Sequence, residues 1–97
     1  MDESSYTHHI VASNAESAAP ARAVLERFGI GIDDASNGVF LPANHAAHNP
    51  AGRAIHSNLH TRAYYEVTND ALSQASSREE ALEILDNLRQ GLLEGGL

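Results

Sequence analysis

The rhythm of apolar and polar positions changes several times along this chain, and each change marks an element. Residues 6–12 (Tyr-Thr-His-His-Ile-Val-Ala) are rich in aromatic and β-branched side chains, which predicts a short strand. Alternation places Tyr6, His8 and Ile10 on one face and Thr7, His9 and Val11 on the other. Residues 13–17 are polar and read as a connection. Pro20 suits the first turn of a helix, and Val24, Leu25 and Phe28 recur at helical spacing over residues 21–28. Gly29 and Gly31 stop that helix. Residues 33–38 are turn-like, with the strong turn pair Asn37-Gly38. Val39-Phe40-Leu41 then predicts a second strand, ended by Pro42.

Residues 43–52 hold His45, His48, Asn49-Pro50 and Gly52 and read as a loop. Helical periodicity resumes in or just before residues 56–60 and continues to about residue 75. Its apolar stripe is Leu59, Ala63, Tyr64, Val67, Ala71 and Leu72. Ser77-Arg78-Glu79-Glu80 has the form of a capping box. It opens a last helix from 78 to about 92, with Ala81, Leu82, Leu85, Leu88 and Leu92 on one face. Gly95 and Gly96 predict a frayed tail. The order strand, helix, strand, loop, helix, helix is that of an α+β fold with a very small sheet. A length of 97 residues fits one domain over 1–97, with a core over about 6–75 and a C-terminal helix over about 78–92. A chain this short has little surplus burial, so its core must be economical.

Composition narrows the chemistry. Hydrophobic residues make up 42%, near the globular norm. No apolar run reaches the ~18 residues of a membrane span. Residues 1–5 lack the basic and apolar regions of a cleavable signal peptide, which leaves export as part of a longer polypeptide open. There is no cysteine, so disulfides and thiolate metal sites are excluded, and any metal must be held by His, carboxylate or water. The six basic residues are all Arg and stand against 13 acids, for a formal charge of −7. That sign disfavours loose binding to a polyanion. Eight of the acids fall in 1–75 and five in 76–97, so no removable tail carries them. The expectation is that acidic patches lie away from a cleft lined by Arg53 and Arg62.

All six histidines lie between positions 8 and 60. If His56 and His60 share a helical turn, their i, i+4 spacing puts both imidazoles on one face, a common grip on a divalent metal. A third ligand from His8 would leave coordination positions for water and substrate. Adjacent strand residues point to opposite faces, which favours His8 as ligand and His9 as general base. An amide at Asn37 would either hold His9 in the right tautomer or brace the loop. Arg53 and Arg62 bracket the His pair and are placed to clamp phosphate oxygens. A zinc protease would need Glu directly after the first His of the pair, and Ser57 stands there.

Three segments together carry a family resemblance: Thr7-His8-His9-Ile10-Val11; the run from Ile32 to Pro42 that includes Asn37-Gly38-Val39-Phe40-Leu41; and His56-Ser57-Asn58-Leu59-His60-Thr61 with Tyr64. Over roughly residues 6–72 the chain resembles the AHH family, a branch of the HNH/endonuclease VII superfamily found as toxin domains of bacterial polymorphic toxins. The resemblance implies a ββα-metal, treble-clef-like nuclease core with additional helices. It implies His8, His56 and His60 as ligands of a divalent ion (Mg, Mn, Ni or Zn), His9 as general base and Asn37 as its support. It implies a nucleic-acid substrate, DNA first, delivery into a target cell's cytoplasm as part of a larger effector, and a cognate immunity protein. Thr7 stands where the family's name has Ala, at a position with no chemical role. The stretch from Asn37 to His56 is long, and either His45 or His48 is an alternative ligand. The competing readings are a ribonuclease on the same centre and a non-catalytic, His-rich metal-binding or interaction module. A spare imidazole at His9 and the absence of Cys both count against the module.

Overall fold

A computed structural model of the chain describes residues 5–42, 52, 54 and 61–95. Strand β1 (Ser5–His9) pairs antiparallel with β2 (Gly38–Pro42), in a register that runs from Ser5↔Pro42 to His9↔Gly38. The expected strand over 6–12 stops at His9 for a local reason. The Ile10 N–H donates to the Asn37 carbonyl at 2.8 Å, and Val11 is held by the Asn37 side chain, so the chain leaves the ladder there. Alternation therefore holds for Thr7, His8 and His9 but fails at Val11, which is buried beside Ile10.

Helix α1 (Ala19–Arg27) follows a 3-10 turn at Glu16–Ala18 and carries Pro20 in its first turn. It ends in a Schellman motif. Ile30 N–H reaches Leu25 O at 2.8 Å, Gly29 N–H reaches Glu26 O at 3.1 Å, and Gly29 takes φ +70°. The Arg78 guanidinium caps the Phe28 and Gly29 carbonyls from a later helix.

Helix α2 (Arg62–Ser73) begins after Thr61, whose extended backbone (φ −125°, ψ 154°) and side chain cap it by accepting from Tyr64 N–H. Its expected continuation back through 56–60 is therefore interrupted at Thr61; positions 56 and 60 themselves lie outside the described residues. The buried stripe is Tyr64, Thr68 and Leu72 rather than Ala63, Val67 and Ala71. Thr68 is accepted there because its hydroxyl donates to the Tyr65 carbonyl one turn back.

Helix α3 (Arg78–Leu93) buries Ala81, Leu85, Leu88 and Leu92, as its spacing predicts. Ser77 caps it by accepting from Glu80 N–H. The Glu80 carboxylate bonds to Ser76, one residue earlier than a capping box requires. Gly95 lies in a left-handed turn (φ +80°) where a Cβ would run into the Gly52 carbonyl, so the expected frayed tail is packed at this position. Nearby, Ala54 N–H donates to Leu92 O at 2.8 Å.

The fold is α+β: a two-stranded antiparallel sheet, with α2 packed on α1 and α3 packed on both α2 and β2. Ile10, Leu25, Leu41, Leu72, Leu85 and Leu92 form the fully buried centre. Arg89 fastens α3 to the start of β2. Its Nε donates to Gly38 O at 3.1 Å, one terminal nitrogen donates to Ser36 O, and the other pairs with Asp86 at 2.9 Å. Arg89→Met keeps the apolar stem but removes these donors, and should lower stability by about 1–3 kcal/mol, read as a fall in the urea midpoint. An unchanged midpoint would show that this fastening is dispensable.

Candidate active site around the paired histidines

The chemistry-bearing side chains gather where β1 ends and the chain turns into β2. His8 faces the core and is only 3% exposed; His9, one residue on, faces outward. Strand alternation thus separates two adjacent imidazoles onto opposite faces, and their partners differ in kind.

His8 Nε2 lies 2.8 Å from the Tyr64 hydroxyl, with the two rings edge to face at 5.5 Å. The same hydroxyl lies 2.6 Å from the Ile10 carbonyl. A carbonyl can only accept, so the phenol's single proton points at Ile10. The phenol oxygen then accepts from His8, which makes Nε2 the N–H and Nδ1 the basic nitrogen. Burial raises the Tyr64 pKa far above its usual value, so this proton stays in place at any ordinary pH.

His9 Nε2 lies 2.8 Å from Asp33 Oδ1. Asp33 sits in a turn closed by Asp34 N–H donating to Gly31 O at 3.0 Å. The next residue, Asp34, caps the 3-10 turn Ala35–Asn37. The Ser36 backbone N–H and then its hydroxyl donate to the Asp34 carboxylate and hold its pKa below the usual range. Because the folded-state pKa is depressed, this cap is present above the ordinary carboxylate range and is lost as pH falls through the lowered value.

Asn37 is wholly buried. Its Oδ1 accepts from Val11 N–H at 2.8 Å, and its Nδ2 donates to Val11 O at 3.1 Å and to Ile32 O at 2.8 Å. Only a donor can face two carbonyls, so these partners fix which end of the amide is which. Of the two roles expected for Asn37, its bonds are those of a brace. Yet the brace joins the residue two past His9 to the residue just before Asp33. Asn37 thereby sets the spacing of the His9–Asp33 pair through the backbone of Val11 and Ile32.

Arg62 is on the surface at the start of α2, 90% exposed and paired with Glu66 at 3.1 Å. Arg53, His56 and His60, together with the alternative ligands His45 and His48, lie outside the described residues. Among the described residues no three His, Asp or Glu side chains converge as a metal cluster. Sequence reasoning missed Asp33 and Tyr64 as partners of the two histidines. Both stood in the matched segments, but no periodicity marks a contact across 24 or 56 positions.

Two variants test this framework. Asn37→Ala leaves Val11 N–H, Val11 O and Ile32 O buried without their partner, and should cost roughly 2–4 kcal/mol in denaturant unfolding. Tyr64→Phe strips the acceptor from His8 and the donor from Ile10, and should cost about 1–3 kcal/mol. Losses within error for both would mean the network carries no weight.

A family model matches residues 2–92, described as a nuclease family of the HNH/ENDO VII superfamily with conserved AHH. No curated protein and no solved structure matches the chain. With residues 2–92 of 97 matched, this chain is a member of the AHH family of nucleases.

Proposed function

We propose that this domain is a divalent-metal-dependent endonuclease acting on DNA, and that it serves as the toxin module of a larger bacterial effector that works in the cytoplasm of a rival cell. The observation that carries the reading is the unequal pairing of His8 and His9. A metal ligand keeps one ring nitrogen unprotonated while the other N–H is held by a partner, and the His8 Nε2–H is held by the buried Tyr64 hydroxyl. A general base gains a positive charge when it works, and His9 is paired with a carboxylate.

The donor chemistry fits a divalent ion. His8, oriented by Tyr64, would be one ligand, and His56 and His60 would complete the set. Tyr64 touches His8 and follows His60 by only four positions, which supports bringing these donors together. When bound, such an ion supplies Lewis-acid stabilisation of charge developing on the phosphate. His9 takes the proton of the attacking water at Nδ1. Asn37 keeps the end of β1 and the Asp33 turn at fixed spacing, and Arg53 and Arg62 are placed in sequence to hold phosphate oxygens. A water nucleophile needs no 2′-hydroxyl, so the chemistry is open to DNA, the substrate the family resemblance puts first. The effector role and a cognate immunity protein rest on the family membership. No helix among the described residues is long and apolar enough to cross a membrane.

The test is to incubate the purified protein with plasmid DNA or total RNA, with Mg²⁺, Mn²⁺, Ni²⁺ or Zn²⁺ or with EDTA, beside His8→Ala and His9→Ala. DNA should be nicked only with metal. His9→Ala should lose about 10²–10⁴-fold in rate while calorimetry still shows metal binding, and His8→Ala should bind metal more weakly. Cleavage of RNA alone would replace DNA as substrate. Full activity in EDTA would overturn the metal dependence, and full activity of His9→Ala would overturn the general-base role.

A further inference from the structure

A neutral imidazole accepts a proton at one nitrogen only, and in water its two tautomers exchange freely. The His9 side chain is 36% exposed, so packing alone does not choose between them. Asp33 does. A carboxylate has lone pairs and no proton, so with Oδ1 at 2.8 Å the His9 Nε2 must be the N–H and Nδ1 the acceptor. The carboxylate is itself 85% exposed, but the backbone that carries it is held on both sides. The Ile32 carbonyl before it is gripped by the buried Asn37 amide, and the Asp34 N–H after it donates to Gly31. The neighbouring Asp34 cannot take this role, because its carboxylate is engaged by Ser36.

We infer that Asp33 is a positioning residue for the cleavage step: it holds His9 in the Nε2–H tautomer and turns the ring so that Nδ1 meets the attacking water. The inference rests on His9 being the general base. In the step, a water O–H bond breaks and an N–H bond forms at Nδ1. The water oxygen bonds to phosphorus, and the P–O bond to the leaving strand breaks as that oxygen takes a proton from solvent. The imidazolium so formed keeps its Nε2–H on Asp33 until Nδ1 releases the proton. In this step Asp33 takes no proton and bonds to neither the attacking water nor the phosphate; it works through the ring it holds.

The test is long-range ¹H–¹⁵N correlation of the imidazoles in wild type, Asp33→Ala and Asp33→Glu, alongside steady-state cleavage kinetics of the same three proteins. In wild type, His9 should show the Nε2–H pattern. Asp33→Ala should shift His9 to a mixture of tautomers and lower kcat about 10- to 100-fold with KM unchanged. Asp33→Glu, which can still present a carboxylate, should restore both the tautomer and a large part of kcat. An unaltered tautomer in Asp33→Ala would overturn the inference, as would an altered tautomer with unaltered kcat. A fall in activity that Asp33→Glu does not relieve, with the tautomer kept, would mark Asp33 as merely structural. Failure of the underlying reading looks different: His9→Ala would then cleave at the wild-type rate, whatever the tautomer of the wild-type ring.

Discussion

Between the strand that carries the histidines and the turn that carries Asp33 lies one fully buried amide, and the geometry of the site depends on it. Asn37 uses both its N–H groups and its carbonyl oxygen on backbone atoms of Val11 and Ile32, and its own backbone carbonyl receives Ile10 N–H. These bonds end β1, start β2 and fix the distance from one to the other. A buried amide is costly unless every polar atom is met. Here that requirement is met by backbone atoms of two other segments, which ties all three together. Among the described residues, no buried side-chain N or O atom lacks a partner.

Once β1 is held, its alternation sorts two adjacent and chemically identical residues into different environments. His8 turns inward against a phenol whose proton is already committed to Ile10. His9 turns outward against a carboxylate. Both rings place the N–H on Nε2, toward a phenol oxygen in one case and a carboxylate in the other. The same side chain is thereby made suitable for two tasks, by position on a strand rather than by any difference in the residue.

The charge of the molecule reads differently once the arginines are placed. Three of them bind backbone carbonyls: Arg22 on Ala12 and Ala15, Arg78 on Phe28 and Gly29, and Arg89 on Gly38 and Ser36. Arg27 lies over the Phe28 ring, 5.1 Å from its centroid. A chain of net charge −7 thus uses much of its scarce positive charge as internal fastening. Among the described residues, Arg62 is the arginine whose ion pair is most open to solvent, at the start of the helix that also supplies Tyr64. Attraction of a polyanion by the whole surface is not how such a protein would hold nucleic acid; a few local groups must do it.

Local rules were sufficient for much of the fold. Spacing of Ala81, Leu85, Leu88 and Leu92 specified the buried face of α3. Pro20 and Gly29 marked the ends of α1, and the Asn37-Gly38 pair marked the turn into β2, because propensity, capping and periodicity act over a few residues. The same locality accounts for the departures. The strand expected to reach residue 12 stops at His9 because its last bonds come from Asn37, 26 positions from Val11. Thr68, and not Val67, is buried on α2 because a backbone carbonyl one turn back satisfies its hydroxyl. The sequence by itself determined the α+β class, the order of elements and the pairing of reactive histidines on opposite faces of one strand. Only the tertiary structure decided that Tyr64 meets His8, that Asp33 meets His9 and that Asn37 spaces them. Those bonds join residues far apart in the chain, and no repeat or spacing along a sequence records a contact that closes only when separate segments pack.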